Sequence, residues 1–291
     1  MIIAIALAVL TAATNAASNV LQRKANMQEP PEVSFSLRMI GDLLRRKVWL
    51  AGFAAVLVSF LLQAAALHFG TLAAVQPVVI LELPLTLVGA MVALHAPIGQ
   101  REWLAAGLLT VGVVALVGGL HPTGGSPRIA TGAWLLGLAV AGAAVAALVV
   151  AGVRHHGDLR GAFLGGATGI AFAVTAALMA GATDALTRGG ITGLFTSWTT
   201  YAMAAAGCGA MFLTQNALQA GRLVAAQPGI TLLDPIASVL WGTVLFHERT
   251  GGSALLAVAV AGLACMVVGA VELSRSDALA DEPGREPAAT E

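Results

Sequence analysis

Charge is what this chain has least of. Asp, Glu, Lys and Arg together supply only 10% of its 291 residues, against 58% hydrophobic residues and a mean hydropathy of +0.86. Soluble domains carry about 25% charged residues, so the composition excludes a soluble globular chain and implies a polytopic membrane protein. Fifteen basic residues balance fifteen acidic ones, and the basic ones form no long stripe. That excludes a nucleic-acid backbone as partner. Cysteine is scarce too. Cys208 and Cys265 both fall inside apolar segments, so their spacing gives no disulfide framework, no metal site and no redox compartment. HExxH pairs, a P-loop and a Ser/His nucleophile arrangement are missing, so hydrolase and ATPase chemistry is not expected. No cofactor is expected either.

What is present is apolar sequence in lengths of about 20 residues, enough to cross a bilayer. Nine such spans are read at 2–21, 48–69, 72–94, 103–120, 132–153, 162–183, 194–218, 223–246 and 253–273. The expected fold class is an all-α integral membrane protein of about nine transmembrane helices. It divides into a first membrane half, 1–120, a second, 131–273, and a disordered acidic, Pro- and Ala-rich cytoplasmic tail, 274–291. Positive charges follow the first apolar run, so that run reads as a span and not as a cleaved signal.

Twelve Lys and Arg fall on one side of this topology, including Arg23, Lys24, Arg45, Arg46, Arg101, Arg154, Arg160, Arg222 and Arg275. Only Arg128, Arg188 and Arg249 fall on the other. Positive loops stay in the cytoplasm, so the amino terminus is expected outside and the carboxyl terminus inside, in the cell (plasma) membrane. The loop 22–47 places Val33, Leu37, Ile40 and Leu44 on one helical face with basic residues around it. It reads either as a helix lying on the cytoplasmic surface or as a solvated linker.

Against this background two acids stand out. Glu82 lies in Gln76-Pro77-(x)4-Glu82-Leu83-Pro84 and Asp234 in Gln227-Pro228-(x)5-Asp234-Pro235, each near the middle of a span. A carboxylate at mid-bilayer costs roughly 2.5 to 3.5 kcal/mol even on a lenient scale, so it marks a functional position. The two patterns are copies: a shift of 151 residues aligns 66–94 with 217–245 and gives 11 identities in 29 positions, where chance gives roughly three. Span three runs inward and span eight outward, so the copies form an inverted-topology internal repeat. That construction belongs to secondary transporters, whose substrate site lies near the midplane. Pro77, Pro84, Pro228 and Pro235 each remove a backbone donor and free a carbonyl, making them candidate helix-breaking hinges.

These features resemble the drug/metabolite transporter superfamily, and within it the EamA-type repeat. The second copy carries the pattern: Asn216-Ala217-Leu218, then Pro235, then Glu248 in His247-Glu248-Arg249, then Gly262 and Gly269. The first copy departs from it, because Pro97 stands where the Glu would follow Pro84. Members usually have ten spans in two sets of five, and this chain lacks the second, with the basic loop in its place. A nine-span chain with its amino terminus outside is also similar to the NIPA-like magnesium transporters of the same superfamily.

Polar side chains in lipid must face protein or a wet cavity. The pathway is therefore expected along spans one, two, three, seven and eight, with Asn15, Asn19, Gln63, Gln76, Glu82, Gln215, Asn216, Gln227 and Asp234 as candidate substrate or ion ligands. Spans four, five and nine, nearly all Ala, Val, Leu and Gly, are expected to be scaffold. Trp198 and Tyr201 read as interfacial anchors or as a stacking surface for an organic cation. His155-His156 lacks helical ligand spacing, and any metal site is left open. Glu248 and Arg249 are expected to cap or pair locally. The implied function is secondary transport of a small metabolite, amino-acid derivative or drug-like cation, with protons expected to exchange for substrate by alternating access. A divalent-cation carrier is the alternative, since two carboxylates with amide oxygens suit a hard cation. A lipid-headgroup flippase and an intramembrane enzyme are the remaining readings. The expected partners are the bilayer, the solute and protons.

Overall fold

The computed structural model describes residues 1–26, 47–94, 98–220 and 223–275. Ten α-helices account for nearly all of it: α1 (Ile2–Asn26), α2 (Lys47–Phe69), α3 (Leu72–Val79), α4 (Glu82–Leu94), α5 (Gln100–Leu120), α6 (Thr131–Arg154), α7 (Gly157–Thr196), α8 (Trp198–Ala220), α9 (Leu223–Leu240) and α10 (Ser253–Ser274). Among the described residues β-structure is limited to one isolated bridge, Thr123 to Arg249. Eight helical segments are long and apolar enough to cross a membrane. Large apolar side chains such as Leu104, Val111, Val140, Phe212 and Val260 are exposed on the outside of the bundle, where lipid and not water can accept them. The chain is a multi-pass all-α membrane protein.

The segment expected at 194–218 is helical as α8 but is not among those eight. Its two threonines at the start and Thr214, Gln215 and Asn216 near the end dilute its hydropathy. Its neighbour α7 runs for 40 residues, well past the expected end at 183, because 184–188 hold no Pro or Gly to stop it. The break comes at Gly190, where φ is 59° and ψ is −153°, a backbone state that only glycine adopts without strain. The basic segment expected as a surface helix, from residue 27 onward, and the tail from 276 lie outside the described residues.

Proline acts differently in the two matching segments. The third expected span is two helices, α3 and α4, joined by a tight turn at Ile80 and Leu81. Pro84 has no N–H to give the Ile80 carbonyl, and the amide of Leu83 takes it instead at 3.0 Å. The helical ladder is interrupted there and Glu82 stands at the break. In α9 the ladder passes through both Pro228 and Pro235 and ends in a π-helical turn, Trp241–Leu245. Of the four expected hinges, Pro84 alone stands at a helix break, while Pro77 lies inside α3 and Pro228 and Pro235 inside α9.

Small residues set how closely the helices approach. On α7, a Cβ at Gly169 would stand 2.8 Å from the carbonyl of Ile230 and 2.9 Å from the amide of Asp234, and one at Gly165 would meet the carbonyl of Ala226. Facing them, Gly229 approaches the amide of Gly166. The same device joins α5 to α10, where Gly112 meets Gly262 and Gly269 meets Leu109 and Ala105. Arg101 and Glu272 close that pair at one end with a 2.6 Å ion contact. In α1 a stripe of Ala4, Ala8, Ala12 and Ala16 is wholly buried, and Ser18 donates to the Gly52 carbonyl of α2 at 2.8 Å. Backbone contact of this kind replaces the hydrophobic drive that lipid cannot supply.

Because the α7–α9 crossing leaves no room for a side chain, Gly165→Leu should lower the thermal unfolding temperature in detergent and the folded yield, by about 1 to 3 kcal/mol of overpacking. Gly142→Leu, at a glycine whose added Cβ meets nothing within 4 Å, should leave both unchanged.

Candidate functional site

The break in the third span sets Glu82 at the start of α4, in a helix that packs against α1, the helix that carries Asn15. Asn15 is held in turn by α2: the Ser59 hydroxyl donates to Asn15 Oδ1 at 2.5 Å, and also lies 3.3 Å from the Thr11 carbonyl. Ser59 is buried, and Asn15 and Glu82 are half-buried. On α9 the buried Ser238 hydroxyl, one turn beyond Asp234, donates to Asp234 Oδ1 at 3.2 Å. Glu82 and Asp234, 152 residues apart in sequence, are held on neighbouring parts of the bundle, since α3, which leads to Glu82, packs against α9.

The other expected ligands divide. Gln76 on α3 is 2% exposed and its amide nitrogen has no hydrogen-bond partner among the described residues. The Thr86 hydroxyl, one turn beyond Glu82 on α4, is likewise buried and unpartnered there. Buried donors without acceptors cost free energy, and these two stand on the helices either side of the break at Ile80 and Leu81. Gln63 and Gln227 are half-buried, and Asn19 and Gln215 are exposed. Asn216 bonds back to the Phe212 carbonyl of its own helix at 2.8 Å. Trp198 packs edge-on against Trp134, 5.6 Å between ring centroids, and Tyr201 is 60% exposed with its hydroxyl on the Phe195 carbonyl. Neither aromatic is linked by contact to the carboxyl pair. Among the described residues no three His, Cys, Asp or Glu side chains gather as a metal cluster.

Glu248 is not the local cap that sequence suggests. Its carboxylate reaches across 176 positions to accept the backbone amides of Leu72 at 2.7 Å and Ala73 at 3.0 Å. These are orphan donors at the start of α3, and Thr71, in the usual capping position, makes no such bond. A carboxylate at a helix amino terminus is favoured by both the free N–H groups and the helix dipole. Room for it comes from Gly242 and Gly125, where a Cβ would collide with the Glu248 side chain. The loop bearing it is clipped to 121–130 by reciprocal bonds between Thr123 and Arg249 of 2.9 and 2.8 Å, with Ser126 donating to the Phe246 carbonyl at 2.9 Å. Beside the clip, Trp134, Trp241 and Phe246 stack within 5.5 to 6.3 Å. Burial pushes the Glu248 carboxyl above its ordinary range, and the two amide bonds counter only part of that rise.

Sequence reading missed Ser59, Ser238 and Thr86, for lone hydroxyls in apolar helices are most often bonded to their own backbone, as Thr168 and Thr175 are here. A partner search along the 3.6-residue period would have found Ser238, one turn after Asp234. Ser59 carries no such local signal.

No protein family and no solved structure matches the chain. It is similar to an uncharacterized protein of Corynebacterium glutamicum, 27% identical over 280 residues, covering 96% of each chain.

Replacing Glu248 by Ala should cost roughly 2 kcal/mol or more, because two buried amides lose their acceptor, read as a lower unfolding temperature. The sign with pH follows from the raised Glu248 value: the folded state binds its proton more tightly than the unfolded state. Stability is then fully present below the ordinary carboxyl range and declines as pH rises through the raised value. Glu248→Gln should flatten that decline.

Proposed function

We propose that the chain is a secondary transporter of a small solute, coupled to protons, that works by alternating access around Glu82 and Asp234. One observation carries the reading: two acids from different helices, each preceded by a Gln-Pro pair, lie inside an apolar bundle in which α3, leading to Glu82, packs against the α9 that bears Asp234. Among the described residues neither acid forms an ion pair with a basic side chain, and neutralising such acids falls to a proton or a cationic solute. Ser238 presents a donor to the Asp234 carboxyl, which favours an exchangeable carboxylate over a fully assembled oxygen cage for a hard cation.

On this reading the chain makes nine crossings, with α8 as the seventh. The first four, α1, α2, α3 with α4, and α5, repeat as α7, α8, α9 and α10, with α6 crossing between the sets to invert the second. Element boundaries support it. Lys47–Phe69 and Trp198–Ala220 are both 23 residues long, and the first residues of α2 and α3 lie 151 positions before those of α8 and α9. Helix pairing supports it as well: α1 packs on α2, α3 and α4 as α7 packs on α8 and α9, while α3 meets α9 and α5 meets α10 across the repeat. The positive-inside count orients the amino terminus outside and the carboxyl terminus in the cytoplasm, in the plasma membrane. The resemblance to EamA-type repeats points to the same class.

The test is substrate-dependent proton flux in liposomes that hold purified protein and an internal pH dye, with organic cations, amino acids and Mg2+ offered in turn. Flux that is lost in both Glu82→Gln and Asp234→Asn is the expected result. Mg2+ uptake without proton movement replaces the reading with a divalent-cation carrier, and flux unchanged in both variants removes the two acids from the site. Gln76→Leu separates function from folding. With its amide unpartnered, the Leu variant should be at least as stable as the parent yet transport at under about a tenth of the rate, the worth of one hydrogen bond of about 1.4 kcal/mol to the solute.

A further inference from the structure

We infer that Glu248 and Thr71 are alternative caps of α3 and together form a latch: Glu248 holds the bundle closed at the end that faces outside, and Thr71 takes over the helix start when that end opens. The inference rests on the alternating-access reading for its purpose and for which end is outer, whereas the two caps stand on geometry alone.

The start of α3 has two capping groups and uses the distant one. Thr71 occupies the N-cap position with the extended backbone that suits it, φ −82° and ψ 151°, yet its side chain caps nothing. Its hydroxyl is buried and without a hydrogen-bond partner among the described residues. A threonine so placed ordinarily accepts the amide of the residue two or three positions on, and Ala73 stands two positions on. The Ala73 hydrogen goes instead to Glu248 Oε2 at 3.0 Å, and that of Leu72 to Oε1 at 2.7 Å. A single N–H serves one acceptor well, so the hydroxyl stays idle while Glu248 is seated. A buried hydroxyl left unpaired costs free energy, and a second cap held in reserve gives it a use.

The two sides of this contact belong to different parts of the bundle. The Glu248 side is fixed: its own amide donates to the Gly242 carbonyl at 2.9 Å, Gly251 donates to the Leu120 carbonyl of α5 at 2.7 Å, and the Thr123 to Arg249 clip joins the two loops. His247, just before it, holds φ at 56°, a left-handed conformation costly to a residue with a Cβ. The other side is a separate half-helix. Leu72 to Val78 are buried, and α3 packs against α1, α2, α5, α7, α9 and the π-helical turn. Among the described residues, the hydrogen bonds that tie α3 to anything but its own neighbours in the chain are the two to Glu248. Its far end is the break at Ile80 and Leu81, where a swing of α3 can be absorbed without carrying α4 along.

Energetics make the contact reversible. Glu248 is only 7% exposed, and the hydration it gives up offsets much of what its two bonds gain. On release the carboxylate returns to water, the Thr71 hydroxyl accepts the Ala73 amide, and the Leu72 amide meets water admitted by the opening. The helix start is satisfied in both arrangements. The device also belongs to one end of the molecule. The shift of 151 residues that matches Leu72 with Leu223 sets Arg222 opposite Thr71 and Pro97 opposite Glu248. Neither capping side chain has a counterpart for the start of α9, so the carrier is latched in this way on the outer side alone.

Backbone hydrogen exchange of the full chain in lipid nanodiscs, without any solute, tests the latch at the Leu72 amide, which is bonded only while the end is closed. Glu248→Gln keeps one acceptor oxygen and should speed that exchange by about tenfold, the worth of a hydrogen bond to a charged group. Fraying of the helix start would do the same, so Thr71→Val is the decisive variant. Its hydroxyl bonds nothing in the closed state, so the unfolding temperature should be no lower than the parent's, but the open state loses its cap. Opening should become rarer and Leu72 should exchange about fivefold more slowly, the worth of an N-cap. Thr71→Ser, which keeps the hydroxyl, should restore the parent rate. Exchange in Thr71→Val at or above the parent rate overturns the alternation of caps, and exchange in Glu248→Gln at the parent rate overturns the latch; solute-driven flux in liposomes would leave the carrier reading standing in either case. Exchange as expected with no such flux keeps the latch and sinks the carrier reading alone.

Discussion

A carboxyl group inside hydrocarbon has to be given its hydrogen bonds by the protein, and this requirement organises the bundle. Glu82 stands where α3 and α4 part at Ile80 and Leu81, on a helix that packs against the α1 that carries Asn15. Asn15 is oriented because Ser59 on α2 holds its oxygen. Asp234 has its bond from Ser238 on its own helix, and α9 can carry it inward only because Gly165, Gly169 and Gly229 let α7 and α9 touch backbone to backbone. Remove the close crossing and the second acid retreats from the first. The small residues, polar pairs and proline break are therefore parts of one arrangement.

A third carboxyl, Glu248, serves the frame. It closes one end of the bundle by capping the free amides of α3, and α3 is the half-helix that leads to Glu82. The glycine at 242 and the π-helical turn that contains it leave space for the carboxylate, while the Thr123 to Arg249 clip fixes the loop. An electrostatic contact at the helix start thus links the second half of the chain to the interrupted span of the first. Movement of α3 relative to the 246–252 loop would have to release that cap.

Much of this was legible in the residues. Long apolar runs gave the helices, because composition and length suffice when backbone groups can be satisfied only within the segment. The prolines beside Glu82 and Asp234 marked the two acids, and in the structure α3, which leads to Glu82, packs against the α9 that carries Asp234. Pro84 breaks a helix where Pro235 does not, a difference local sequence could not reveal because it depends on which neighbour accepts the freed carbonyl. The long α7 was missed for a related reason: hydropathy ends near 183, but 184–188 continue in helical geometry until Gly190. Ser59 and Glu248 were the hardest to read. Each acts on a partner 44 or more positions away, and no periodicity within one helix encodes such a contact. Gln215 and Asn216 read as pathway ligands from polarity; in the structure Gln215 is exposed and Asn216 bonds to its own helix.

The central claim is that Glu82 and Asp234 make one site. It is tested most directly by following the protonation of Glu82 by infrared spectroscopy in the parent chain and in Asp234→Asn. A shared site predicts that removing the neighbouring charge makes Glu82 release its proton at lower pH, by a clear fraction of a unit or more. An identical titration of Glu82 in both proteins would contradict the account, for it would mean that two buried acids ionise without sensing each other.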